Sequence, residues 1–225
     1  MEKESPFKFG KLVDGEKFSN RTKEKKRLKI NFGSNLNTIL ISPRRWGKSS
    51  LVKEVASEYG ARSKTKFCFM DLMSVRTEEE FYSMFAKQVI SSTTSKMEEV
   101  MNHAKDFLSN IIPTISINPT PESSFDIRFD LEQLKMNYVD VLELPERIAK
   151  KKNIKLIVCI DEFQSLTNLT ESEAIQGKLR SVWQHHKHAT YCLYGSKRHL
   201  LLDIFNSRSK PFYKFGDVMF LEKIG

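Results

Sequence analysis

Lys48, Ser49, Asp161, Glu162 and Ser196 have the types and settings that phosphate chemistry asks for. The first two close the run SPRRWGKSS, Ser42 to Ser50, which follows the apolar TILI and leads into an amphipathic stretch. A loop so placed wraps phosphate oxygens with its backbone N–H groups and the N-terminus of the next helix, while Lys48 adds a point charge and the Ser49 hydroxyl a ligand for Mg²⁺. Gly47 lets the backbone approach closely, and Pro43, Arg44, Arg45, Trp46 and Ser50 complete the cradle. Ser42 stands where the pattern G-x-x-x-x-G-K-[ST] begins with glycine; it is small enough to permit the turn. A Gly-Lys-Ser triplet by itself is a weak signal, so its setting decides.

That setting is supplied by IKLIVCIDEF, residues 154–163, an apolar run ending in two adjacent carboxylates. A strand ending beside the phosphate loop lets Asp161 hold Mg²⁺, largely through water, and lets Glu162 orient or deprotonate an attacking water. Alone, such a pair is an ordinary solvated strand end; with Lys48 it becomes specific. In ATYCLYGSKRHLL a further strand ends at Ser196, which either senses the γ-phosphate or the water, or caps the helix that follows. Upstream, in FSNRTKE, Arg21, Glu24 and Leu28 share one helical face, and Phe18 precedes it as a staple or an adenine contact.

These residues need elements to position them. Short runs rich in Ile, Leu, Val, Phe and Cys predict strands over Thr38–Ile41, Lys66–Leu72, Ile154–Ile160, Thr190–Tyr194 and Asp217–Leu221. Continuous apolar runs suit strands covered on both faces, hence a parallel sheet. Between them the period becomes helical: Leu51, Val52, Val55 and Tyr59 before a stop at Gly60, and Phe81, Met84, Phe85 and Val89 behind a Thr77/Glu80 capping box. Two further helices follow, one behind Ser95/Glu98 and one behind Thr170/Glu173, the latter with Ile175, Leu179, Val182, Trp183 and His186 on one face. Pro145 is placed in the first turn of a helix running through Lys152. The segment TISINPTPESSFDIRF, Ile115 to Phe129 with its preceding Thr114, alternates on both sides of a Pro-rich turn and reads as an inserted β-hairpin rather than a plain loop.

Composition sets bounds. Forty percent hydrophobic and 29% charged residues describe a globular chain, with no run near the roughly 20 apolar residues that span a bilayer and no apolar leader in MEKESPFKFG. A cytoplasmic, membrane-free protein is expected. The net charge of +9 invites a nucleic-acid reading, but the basic runs Arg21–Lys29 and Arg147–Lys155 read as solvated helix faces. Cys68, Cys159 and Cys192 lack metal-ligand spacing and read as buried thiols; His185, His186 and His188 read as partners of a helix C-terminus rather than a zinc site.

Several segments in order, PFKFGKLVDGEKFSNRTKE, ISPRRWGKSSL, LIVCIDEFQSL, YGSKRHLLLDIF and KPFYKFGDVMFLEKI, resemble the archaeal-type ATPases of the AAA+/STAND branch, relatives of the origin-recognition ATPases, over nearly the whole chain. The resemblance implies an α/β, three-layer P-loop NTPase with a five-stranded parallel sheet of order 5-1-4-3-2. It implies ATP and Mg²⁺ as cofactors and slow ATP hydrolysis that drives or gates an effector or assembly. Residues 1–37 are expected on the adenine side, with Phe18 and Arg21, and residues 113–130 hold the inserted hairpin that the alternation marks. ATP or ADP, copies of the chain, and nucleic acid met through other domains are the partners it suggests; a lid and an effector domain are expected to be missing after residue 225. Where such ATPases carry PFYGR this chain reads PFYKF, residues 211–215, so Arg208 becomes the candidate for the arginine presented to a neighbouring γ-phosphate. A nucleotide-gated module with little turnover, a nucleic-acid-binding protein and a small-molecule kinase are the alternatives.

Overall fold

The computed structural model describes residues 21–61, 63–94, 96–108, 114–118 and 124–223. In chain order its elements are α1 (Thr22–Gly33), β1 (Thr38–Ile41), α2 (Lys48–Gly60), β2 (Thr65–Asp71), α3 (Glu78–Thr93), α4 (Met97–Phe107), β3 (Thr114–Asn118), β4 (Ser124–Arg128), α5 (Leu131–Lys152), β5 (Lys155–Asp161), α6 (Ser172–Trp183), β6 (Ala189–Gly195), α7 (Arg198–Asn206) and β7 (Asp217–Phe220). Five strands form one sheet in the order β2-β5-β6-β1-β7, every pairing parallel. Numbered along the chain as sheet strands and read from the β7 edge, that is the expected 5-1-4-3-2. β3 and β4 pair antiparallel as the hairpin.

The apolar runs are double-sided because successive strand residues face opposite layers. Leu40, Ile157, Cys159, Cys192 and Tyr194 pack with Leu28 and Phe32 of α1 and Leu51, Val52 and Val55 of α2. Ile39, Ile41, Leu156, Val158, Ile160, Tyr191 and Leu193 face the other way, into a larger core shared with α3, α5, α6 and α7. Burying each such side chain contributes about 1.5–3 kcal/mol, so a one-residue slip in any strand would exchange two filled layers at large cost. Ile127 and Phe129 anchor the hairpin end to the larger core beside α3. The three cysteines are fully buried and unbridged, with burial pushing the Cys68 thiol up to about 12.

Several expectations are corrected. Pro145 lies inside α5, eight residues past a kink at Asn137, rather than in a first turn. The lost N–H bond is tolerated because Val141, Leu142, Leu144, Ile148 and Ala149 are all buried and hold that stretch against the core. α6 starts at Ser172 behind Glu171 with no side-chain cap, so Thr170 and Glu173 form no capping box there. Thr77 does cap α3 through the Glu80 amide, although the Glu80 carboxylate turns to the Arg76 amide. Gly60 is the last helical residue of α2 and Ala61 caps it in a right-handed conformation. Ser95 lies outside the described residues.

The basic runs are solvated in part and ion-paired in part, with Lys23, Lys26 and Lys150 exposed. Lys25 and Lys29 pair with Glu58, Lys25 also with Glu54, and Arg27 grips Asp217 at 2.5 Å. In α5, Arg147 pairs with Asp140 and Lys152 with Glu99. His186 is also unlike the expectation: burial lowers it to about 4, so it is neutral and meets the Tyr191 hydroxyl at 2.9 Å instead of acting as a cation at a helix end.

Glu146 fastens α5 to the start of β6. Its carboxylate accepts from the amides of Lys187, His188 and Ala189 at 3.0, 2.7 and 2.9 Å and meets His188 Nδ1 at 2.7 Å. Burial would raise this carboxyl, but the His188 ring and the three amides outweigh it and hold it below its ordinary value. Glu146→Ala is expected to cost about 2–3 kcal/mol at pH 7, since it orphans several donors. A depressed acid stabilises fully above its unfolded pKa of 4.5 and loses that contribution as pH falls through the folded value. The difference in Tm between wild type and Glu146→Ala should therefore shrink as thermal melts are taken from pH 7 to below pH 4.5.

Candidate nucleotide site

Parallel pairing puts the carboxyl ends of all five strands on one edge, where ligands of open α/β sheets bind. β6 lies between β1 and β5, so the segment after it stands between the loop after β1 and the acidic end of β5. The phosphate loop, Asp161, Glu162 and Ser196 are thus gathered by topology before any side chain is considered.

The side chains complete a hydrogen-bonded cluster. Lys48 Nζ lies 2.9 Å from Asp161 Oδ1 and 2.9 Å from Glu162 Oε1. Ser49 Oγ donates to Asp161 Oδ2 at 2.5 Å, and the Glu162 amide donates to Asp161 Oδ1 at 2.8 Å. Ser196 Oγ donates to Glu162 Oε2 at 3.0 Å, and Arg44 Nε donates to Ser196 Oγ at 3.4 Å. Lys48, Asp161 and Glu162 are each about seven-eighths buried, with side-chain exposures of 12%, 15% and 12%. Burial alone would lower the Lys48 ammonium, but Asp161 and Glu162 outweigh it and raise the pKa. Burial would likewise raise Glu162, yet Lys48, Gln164 and Ser196 hold it below the usual carboxylate range. Both groups are charged at neutral pH.

Backbone conformation explains several residue types. Gly47 caps α2 at φ 79°, a left-handed position that favours glycine. Ser42 is not among the described residues with positive φ, and its buried hydroxyl donates to the Pro43 carbonyl at 3.1 Å, so the turn does not demand the glycine of the usual pattern. Arg45, at φ 66°, takes the left-handed turn within the loop, and Trp46 and Ser50 are partly and fully buried respectively. Glu162 is itself left-handed at φ 49°, a conformation that costs a non-glycine residue about 1 kcal/mol or more and is found where a site fixes a side chain.

Arg21 reaches the loop from α1. It is buried, donates to Glu24 at 3.2 Å, and spans the Trp46 carbonyl at 2.9 Å and the Glu222 carbonyl at 3.0 Å. Its bonds thus tie α1 to the backbone of the loop and to the segment after β7. Phe18 lies outside the described residues. Arg208 stands exposed in the turn after α7 and makes no hydrogen bond to the cluster. Phe215, where the resembling ATPases carry arginine, is buried against Phe212 with ring centroids 4.9 Å apart, and Lys214 before it is left-handed at φ 52°, matching the glycine of PFYGR.

Gln164 is a member of the cluster that motif reading did not single out. Its Nε2 donates to Glu162 Oε2, its side chain is buried, and Gly195 leaves it room: a Cβ there would sit 1.9 Å from Gln164 Oε1. Only its spacing, two residues after the acidic pair, marks it in the sequence. A cleft of about 760 Å³ between α3 and β4, lined by Thr77, Glu80, Met84, Lys87 and Asp126, shares no residue with the cluster. Among the described residues no group of three or more carboxylates, histidines or cysteines has the arrangement of a metal site, and no helix is long and apolar enough to cross a membrane.

A parallel sheet with a lysine-bearing loop after the strand next to one edge, β1, and an acidic end two strands away on β5 has the P-loop ATPase fold. Solved structures agree. The chain is similar to the Walker-type ATPase of Pyrococcus abyssi at TM-score 0.61 and 20% identity, over 96% of this chain and 57% of that one. It is similar to the ORC2 protein of Aeropyrum pernix, solved in ADPNP-ADP complexes, at 0.57 and 13%, over 91% and 48%. Cdc6p from Pyrobaculum aerophilum follows at 0.53 and 13%, over 96% and 48%. The chain spans about half the length of these proteins. No protein-family model and no curated protein matches it.

Proposed function

We propose that this chain binds Mg-ATP at the cluster and hydrolyses it slowly, gating an effector or an assembly. The observation that carries this is the joining of Lys48, Ser49, Asp161, Glu162 and Ser196 in one hydrogen-bonded group at the carboxyl edge of the sheet. The fit of a triphosphate rests on this chemistry: a left-handed glycine at the start of a 13-residue helix, a partly buried ammonium, and a hydroxyl sharing a carboxylate with it.

Phosphate oxygens compete with the two carboxylates for Lys48, and as Lys48 turns to them Asp161 and Glu162 are released from its charge. Ser49 and Asp161 are then the residues that would hold Mg²⁺, which when bound neutralises charge on the phosphate oxygens. Glu162, ionised at neutral pH, accepts a hydrogen bond from the attacking water and takes its proton. Ser196 keeps Glu162 oriented. Arg21 braces the loop on the adenine side in this reading, and the ion pairing of α1 and α5 supports assigning nucleic-acid contact to other segments.

The clamping of Glu162 by Lys48, Gln164 and Ser196, together with Phe215 at the arginine position, favours a second reading: a nucleotide-gated module with little turnover. Phosphate release from ATP, measured with Mg²⁺ and with EDTA, decides between them. Metal-dependent release supports hydrolysis, whereas nucleotide binding with no release at any enzyme concentration leaves only the gate. Within the hydrolytic reading, Ser49→Ala should raise the Mg²⁺ concentration for half-maximal turnover by about tenfold, roughly the 1.4 kcal/mol of one lost metal contact. An unchanged Mg²⁺ titration would remove Ser49 from the metal.

A further inference from the structure

We propose that Arg44 supplies, within one chain, the positive charge that the transferring phosphoryl group requires, so that hydrolysis needs no arginine from a neighbouring copy. This rests on the hydrolytic reading above and assigns a residue to it.

The cations of α1 and α5 near carboxylates are paired: Lys25, Arg27, Lys29, Arg147 and Lys152 each hold an acidic partner. Lys48 holds two. Arg44 differs. It is exposed, its Nε donates a 3.4 Å hydrogen bond to the Ser196 hydroxyl, and among the described residues no carboxylate pairs with it. An exposed guanidinium beside an acidic cluster, kept out of that cluster by an intervening serine, is free to receive an anion.

Its place in the chain of contacts says which anion. Ser196 links Arg44 to Glu162 Oε2, and in the hydrolytic reading Glu162 is the base for the attacking water. Lys48 meets Glu162 through the other oxygen, Oε1. Arg44 and Lys48 thus approach one carboxylate from two sides. In hydrolysis the water oxygen bonds to the γ-phosphorus, its proton passes to Glu162, and the bond to the β,γ-bridging oxygen breaks with its electron pair leaving on ADP. In that reading negative charge on the γ-phosphoryl oxygens would develop beside Glu162, and a planar guanidinium matches phosphate oxygens bidentately.

The rival sources are less well placed. Position 215 is a buried phenylalanine in the aromatic core, and Arg208 makes no contact with the cluster. A site completed by its own loop has no need of either.

The test uses the whole chain as wild type, Arg44→Ala, Arg44→Lys and Arg208→Ala, with three readouts: phosphate release at saturating Mg-ATP over a tenfold range of protein concentration, affinity for a fluorescent ATP analogue, and retention of ADP with aluminium fluoride after desalting. Arg44→Ala is expected to lower kcat by about 10²-fold or more while analogue affinity stays within about threefold, and to retain no ADP-fluoride complex. Arg44→Lys should recover part of both, and wild-type turnover per chain should be independent of concentration. The proposal is overturned by wild-type kcat and retention in Arg44→Ala, by their loss in Arg208→Ala instead, or by turnover per chain that rises with concentration. A wild type that retains the fluoride complex through Arg44 yet releases no phosphate sinks turnover but not the Arg44 assignment; failure to retain it at all sinks both.

Discussion

Glu162→Gln is expected to keep ATP and lose turnover by about 10²–10⁴-fold, the range over which a general base contributes. The substitution preserves shape and removes the charge that accepts the water proton. It leaves Asp161 as Lys48's remaining anionic partner, at 2.9 Å, so the phosphate has one competitor for Lys48 instead of two. ATP affinity should consequently equal or exceed that of the wild type. Single-turnover phosphate release with equilibrium binding of a fluorescent ATP analogue separates the effects, and equal release rates in the two proteins would remove Glu162 from the chemistry.

The second large effect is that of Lys48→Ala, which should weaken ATP binding by about 10²-fold or more by deleting the main phosphate cation. It should also unsettle the nucleotide-free protein. Asp161 and Glu162 would then share a mostly buried corner with no ammonium between them, and breaking such a pair costs up to about 3–5 kcal/mol; at the mouth of a site, roughly 1–3 is the expected size. The pH dependence identifies the cause. In the wild type Glu162 is depressed, so it stabilises fully above its unfolded pKa of 4.5 and loses that as pH falls through the folded value. In Lys48→Ala like charge and burial push it the other way, so that variant gains relative stability on acidification. The gap in Tm should be wide at pH 7 and narrow near pH 4. A gap independent of pH would mean that Lys48 stabilises through packing alone.

The sheet was legible because its strands had to be. Residues such as Leu156 to Ile160 are apolar on both faces, which only a doubly covered parallel strand uses, and strand limits shifted by no more than one residue at most ends. The cluster was legible because Asp161 and Glu162 end one strand and Lys48 and Ser49 open the helix that follows another, and parallel pairing carries both to one edge. Less legible was what depends on partners distant in sequence. The charge of Lys25 and Lys29 resembles a solvated face until α2 brings Glu58 beside it, and Pro145 resembles a helix start until packing on both sides overrides its missing donor. Gln164 is of the same kind: an amide two residues past an acidic pair is unremarkable until Gly195 makes the space for it.

One guanidinium joins places far apart along the chain. Arg21 Nη2 donates to both the Trp46 carbonyl in the phosphate loop and the Glu222 carbonyl beyond β7, and among the described residues its buried Nε has no partner. Shifting either carbonyl alone strands a buried donor, at roughly 1–3 kcal/mol. The loop and the exit from the last strand consequently travel as a yoked pair, so a movement made to admit a ligand is felt at once where the polypeptide leaves the sheet.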